Sequence, residues 1–203
     1  IDHAIEHATD YIANREARID RLRKNLSKSA NREARLDYTF QLYEEYKSYQ
    51  NDSAVAYLLK AVSQAIVLKD HSRADYYRSL LAFQYSSSGM YTESFAMLNA
   101  QQPNRLQGRA LAQYYISLAH VYGEVAYYTN QPSLQQQLRA KADSCQRLLF
   151  RILAPEDDIN LQYHEVDYYN KKNFVKALET NNRRMKGLHP DDRQYAIVAF
   201  YRY

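Results

Sequence analysis

The 203-residue chain has one cysteine, Cys145, no tryptophan, and only four glycines and four prolines. A single cysteine excludes an internal disulfide and any cysteine-based metal site. So few glycines and prolines argue against a sheet protein built on tight turns, and for long helices. No apolar run approaches the roughly 18–20 residues of a membrane-spanning helix, and no stretch reads as a secretory leader. Because the sequence opens at Ile1 rather than Met, we expect any targeting or membrane segment to lie outside it. Gly-rich phosphate loops are absent, and no Ser or Cys is framed as an activated nucleophile.

What is present is helical periodicity and tyrosine. Hydrophobic residues make up 46% of the chain, and 21 residues are Tyr. The formal net charge of +4 is local: Arg15 to Arg35 holds eight basic and three acidic residues, leaving the remainder near neutral. Its interleaved acids fit a solvated helix face with i,i+4 pairs rather than a nucleic-acid surface, which needs a basic face with stacking aromatics. Apolar residues at helical spacing predict a first helix through Ile5, Ile12, Ile19, Leu22 and Leu26. A second carries Leu36, Phe40, Tyr43 and Tyr46. A third, capped by Asp52 or Ser53, buries Val55, Leu58, Leu59, Val62 and Ile66. Nothing alternates with period two.

The most ordered motif is "LAFQYSSSGMYTESFAMLN", Leu81 to Asn99. Leu81, Ala82, Tyr85, Gly89, Tyr91, Ser94 and Leu98 resemble the tetratricopeptide pattern in spacing and type, with Pro103 just beyond the second helix. Ala82 is small where helices approach closely, and Gly89 stands where the chain turns. Leu118, Ala119 and Tyr122 repeat the set, as do Leu42, Tyr46, Ala54, Leu58 and Ala61, and more loosely Tyr168, Phe174, Ala177 and Pro190. The resemblance implies an all-α, right-handed superhelix of antiparallel helical hairpins. Residues 1–36 are expected to form an amphipathic helix packed on the array, and 37–203 the repeats, the last of them truncated at "YAIVAFYRY". "YIANREARIDRLRKNL" and the following "YTFQLYEEYKSYQNDSAVAYLLKAVSQA" also resemble the start of the extracytoplasmic helical-repeat region of a family of Gram-negative membrane-bound regulators.

Function follows from these patterns. "HAIEH" places His3, Glu6 and His7 in the inverted zinc-protease order, but at the edge of a polar amphipathic helix, whereas that motif normally lies in a buried helix of a large enzyme with a further carboxylate ligand and a substrate cleft. We therefore expect no metal, no cofactor and no catalytic residue, and read the remaining histidines as scattered. Adjacent Tyr pairs at 76–77, 114–115, 127–128 and 168–169 diverge by about 100° on a helix, so one of each pair should pack and the other reach a surface. In the tetratricopeptide register a binding groove would be lined by Tyr76, Ser79, Phe83, Ser86, Gln113, Ile116, His120, Gln162, Val166 and Tyr169. These do not resemble a Lys/Arg carboxylate clamp. The expectation is a non-enzymatic binding or sensing scaffold, periplasmic, that takes a protein, a peptide or a glycan and meets the membrane only through parts outside these residues. The alternative is a cytoplasmic protein–protein adaptor.

Overall fold

A computed structural model describes residues 8–189 and 193–200. The described residues form helices α1 (Ala8–Lys28), α2 (Arg32–Tyr46), α3 (Asn51–Val67), α4 (His71–Ser87), α5 (Tyr91–Asn99), α6 (Gly108–Tyr128), α7 (Pro132–Ile152), α8 (Asp158–Asn170), α9 (Phe174–Met185) and α10 (Arg193–Phe200). A 3₁₀ turn, Pro103–Arg105, follows α5 where Pro103 was expected to end the hairpin. No strand occurs among the described residues. The fold is all-α, made of antiparallel helical hairpins. The helices divide into two compact units, 1–142 and 143–203, with the division inside α7. The second helix thus starts at Arg32, inside the segment expected to be one N-terminal helix.

In the first unit α1 packs on α2, α2 on α3, α3 on α4, and α4 on both α5 and α6. Ile19, Leu22 and Leu26 of α1 join the core, while Ile12 is exposed. The basic face of α1 is held across to α2 more than along itself: Arg18 donates to Glu45 (3.0 Å) and Arg23 to the Tyr46 hydroxyl (2.7 Å). Close helix approach selects small residues. Ala54, Ala61, Ala65 and Ala82 are fully buried beside Leu36, Leu42, Leu58 and Leu81. Ser94 and Leu98 are buried as the motif implied, and the Ser94 hydroxyl donates to the Ala82 carbonyl (2.8 Å), tying α5 to α4.

Helix α3 departs from expectation in two ways. It begins at Asn51 after Gln50, which makes no side-chain cap, so Asp52 lies inside the first turn. It buries Ala54, Leu58, Ala61 and Ala65, and leaves Leu59 and Ile66 exposed. The stripe 55–59–62–66 is the bulkier one. The stripe 54–58–61–65, turned by about 100°, has the small residues that let α3 approach its neighbours.

Three helices close with one device. After α3, Asp70 N–H donates to Ala65 O (2.9 Å) and Lys69 N–H to Ile66 O (3.0 Å). After α4, Met90 donates to Tyr85 O and Gly89 to Ser86 O; after α8, Asn173 donates to Tyr168 O and Lys172 to Tyr169 O. Each is a Schellman closure with a left-handed residue, Lys69 (φ 57°), Gly89 (φ 77°) and Lys172 (φ 60°). Asp70 and Asn173 then cap the next helix through Arg73 N–H (2.9 Å) and Lys176 N–H (3.3 Å).

Of the Tyr pairs, Tyr77 and Tyr114 are buried with Tyr76 and Tyr115 partly so, and Tyr169 is more exposed than Tyr168. Tyr127 and Tyr128, in the last turn of α6, are both exposed, at 74% and 65%, so neither is buried, though the Tyr128 ring meets Tyr91 of α5 at 6.5 Å between centroids.

Candidate functional site

The ten groove positions lie on α4, α6 and α8. In the first unit they fall largely in the seam where α4 meets α6. Ser79 is fully buried: its hydroxyl donates to Gln101 Oε1 (3.1 Å), and its carbonyl accepts from Ser117 Oγ (2.6 Å). Ser86 is also fully buried, its hydroxyl donating to the Phe83 carbonyl (2.9 Å). Neither lines a surface, because successive first helices approach too closely there. Phe83 packs on the His120 ring at 4.0 Å between centroids, Tyr76 lies beneath Arg109 (4.8 Å), and Gln113 donates to Ser117 Oγ (3.2 Å). Ile116 is half-buried on the same helix.

Ser86, His120 and Glu124 stand in the order of nucleophile, base and acid, with Ser86 Oγ 2.8 Å from His120 Nδ1 and His120 Nε2 4.0 Å from Glu124. Two features oppose that reading: the Ser86 hydroxyl has the Phe83 carbonyl of its own helix as a second acceptor (2.9 Å), and at 4.0 Å Glu124 is beyond hydrogen-bond distance of the ring it would have to orient. Burial pushes the His120 pKa below its ordinary value, with Glu124 partly restoring it. Ser86 and His120 form a joint between α4 and α6. Cys145 is likewise no nucleophile, since burial pushes its thiol pKa up.

The second unit holds a cleft of about 500 Å³ between α8, α9 and α10. Its rim is apolar: Val166 and Tyr169 from α8 and Phe200 from α10, with Ala177 deeper on α9. Gln162 stands on the same wall, so the α8 positions of the groove register share one cavity. At the floor is an ion pair. The Arg184 side chain is 1% exposed, and its Nη1 donates to Glu165 (2.7 Å), itself nearly buried, while Nε donates to Asp158 (2.8 Å). Asn181 Nδ2 donates to Glu165 Oε1 (2.8 Å) and to the Val198 carbonyl (2.9 Å), joining the floor to α10.

Local sequence explains this floor. Asp157 caps α8 by accepting from Ile159 N–H (2.9 Å), which sets Asp158 in the first turn. On α9, Ala177, Asn181 and Arg184 follow one another at spacings of four and three, one face of a helix. Glu165 stands where the earlier repeats place Ala82 and Ala119. A carboxylate at a close-packed position requires a cation opposite it, and Arg184 meets that requirement. Reading by repeat register alone missed Glu165, Asn181, Arg184 and Asp158; the replacement of Leu-Ala by His164-Glu165 was the signal for them.

The Arg184–Glu165 floor offers unused N–H and lone-pair capacity beneath aromatic and aliphatic walls, and the Gln162 amide has no protein partner among the described residues. Such a cleft takes an apolar body with a hydrogen-bonding end. Among the described residues no group of three or more His, Cys, Asp and Glu side chains is placed to hold a metal, and no helix is long and apolar enough to cross a membrane. His3, Glu6, His7 and Pro190 lie outside the described residues.

The hairpins, their registered small residues and the closures between them define a tetratricopeptide-type helical repeat, a class that serves as a protein-interaction scaffold and is generally non-catalytic. The family model for the SusR N-terminal TPR domain matches residues 5–203, and the chain belongs to that family. Comparison with curated proteins and with solved structures gives no match.

Proposed function

We propose that this chain is the extracytoplasmic ligand- or protein-binding part of a membrane-bound bacterial regulator, and that the cleft between α8, α9 and α10 holds the bound group. The observation that carries the reading is the apolar rim of Val166, Tyr169 and Phe200 over the buried Arg184–Glu165 pair. A peptide segment of a protein partner fits it, its apolar side chain between the rings and its backbone amides on Gln162 and the floor. A short glycan is the second fit, favoured by the aromatic rim above a floor that both donates and accepts.

The rim suggests how binding becomes a signal. Tyr169 and Phe200 belong to different helices, so a ligand touching both favours the arrangement with α10 seated on α9. A ligand shifts such an equilibrium by its differential affinity for the two arrangements. The extracytoplasmic setting draws on the resemblance of the α1–α3 sequence to regulators of that kind.

Calorimetry with panels of short aromatic peptides and of neutral oligosaccharides tests the cleft, with Val166→Arg as the blocking variant. A ligand that binds the wild type and loses at least roughly tenfold in the variant, about 1.4 kcal/mol, supports the reading; undiminished binding to Val166→Arg overturns it. A cysteine at exposed Lys24, probed in intact cells carrying the whole gene with a membrane-impermeant maleimide, tests the location. Labelling supports the extracytoplasmic setting, and protection until lysis favours the cytoplasmic adaptor.

A further inference from the structure

Helix α3 carries a large aliphatic stripe that the core does not use. Leu59 is 45% exposed, Ile66 48% and Val67 65%, while the adjacent alanine-rich stripe makes the helix packing. With Ser63 between them, these three aliphatic side chains span about 12 Å of the outward face, at 1.5 Å per residue. Polar side chains ordinarily cover a solvated helix face, so an uncovered apolar one marks a contact surface.

A second, independent feature lies at the C-terminal end of this face. A concavity of about 370 Å³ is lined by Arg32 and Arg35 of α2 and by Lys60, Ser63 and Val67 of α3. No acidic residue lines it. Arg35 is anchored, its Nη1 donating to the carbonyls of Leu26 (2.8 Å) and Ser29 (3.1 Å), which leaves its Nε and Nη2 without a protein partner among the described residues. Arg32 and Lys60 likewise have no carboxylate partner among the described residues. The carboxylates on the same end of α2 are diverted, since Arg73 holds both Glu33 and Asp37. Three cations therefore converge on one hollow beside three exposed aliphatic side chains.

From this we infer that the outward face of α3 docks an acidic amphipathic helix of a protein partner. Leu59, Ile66 and Val67 receive its apolar side chains, and Arg32, Arg35 and Lys60 receive a carboxylate at its edge. Charge complementarity sets the sign of the partner. The width of a single helix face, with the charges gathered at one end, suits a helix laid alongside α3 in ridge-and-groove fashion. This surface is separate from the α8–α9 cleft, and neither depends on the other.

The test uses the full 203-residue chain and a synthetic amphipathic helix of about 16 residues with Leu on one face and Glu along its edge. A matched peptide with Lys for Glu is the control. Arg32→Glu with Lys60→Glu alters two exposed side chains and leaves the Arg35 anchor intact, so the circular-dichroism melt should not move. Fluorescence anisotropy should show the Glu peptide binding the wild type and losing roughly tenfold or more in the double variant, with the Lys peptide then preferring the variant. Amide shifts should map to α3, and Val67→Ser should weaken binding with no change of charge. Equal binding of both peptides, no binding of either, or indifference to the charge reversal overturns the inference. Binding of phosphatidylglycerol vesicles without binding of the Glu peptide also overturns it, in favour of a membrane surface.

Discussion

Replacing Arg184 by Met removes the only cation among the described residues at the floor of the cleft while keeping much of the side-chain volume. Glu165 then stays buried with a single neutral donor, Asn181, whereas Asp158 is exposed enough to hydrate. Removing one member of a buried pair costs about 3–5 kcal/mol, because the other charge is left uncompensated. A unit of about 60 residues (143–203) at ordinary stability per residue holds only about 3–9 kcal/mol. Arg184→Met should therefore bring the second unit close to unfolding. The companion variant Arg184→Met with Glu165→Leu removes both charges and should recover about 2–3 kcal/mol of the loss. With no tryptophan to report, urea unfolding is best followed by far-ultraviolet circular dichroism, with pulsed trypsin digestion to locate the cleavage in residues 143–203. An Arg184→Met stability within about 1 kcal/mol of wild type would refute the reasoning. So would a double variant as unstable as the two single losses together.

The remaining predictions concern turns, caps and one imidazole. Gly89→Ala should cost about 1–2 kcal/mol, since open space surrounds the added carbon but φ stays at 77°. Lys69→Gly, at the same point of the α3 closure, should be neutral to slightly stabilising despite the entropy of glycine; both are read from thermal melts. Asp70→Ala should lose about 1 kcal/mol as a cap, and more with its pair to Arg73, while Asp70→Asn keeps the acceptor for Arg73 N–H. That N–H, with the Arg73 side chain, holds the Asp70 carboxyl below its ordinary range, so its contribution is present near neutral pH and lost as pH falls below about 3.8. His120 should titrate below 6.5 in an NMR titration, and Glu124→Gln should lower the midpoint further. Because the unfolded chain then binds the proton more readily, stability should fall as pH drops below 6.5 toward the folded midpoint; a midpoint at or above 6.5 would contradict the buried joint.

The parts of the fold legible in the sequence were those set by residue size at fixed spacing. Leu81, Ala82, Ser94 and Leu98 are buried where the motif put them, and Pro103 opens the turn beyond α5. Gly89 announced its turn because glycine occupies φ > 0 freely, whereas Lys69 and Lys172 make the same turn with no compositional sign. In α3 the larger aliphatic residues drew the core face one stripe away from where it lies, since contact distance between helices, not bulk, decided burial. Ser79 and Ser86 fit a groove by register, but small hydroxyl residues also serve as contact points between close helices, as Ser79 does with Gln101 and Ser86 with His120. That alternative use prevailed in the first unit, while the α8 positions do line a cavity.

The two units answer one packing problem in different ways, and the difference supports the cleft as the proposed binding site. In the first unit Ala82 and Ser94 let α4 and α5 touch, and no room is left between them. In the second, Glu165 stands at the position of Ala82 and Ala177 at that of Ser94, and Arg184, seven residues further along α9, pairs with Glu165 beneath a cavity. An apolar replacement of such a pair is often no less stable, so stability alone does not account for a charged floor here. What the charged pair adds is a polar base, fixed by Asn181 and Asp158, beneath a rim contributed by two separate helices. A binding cleft needs both features, and a seam that only held the hairpin together would need neither.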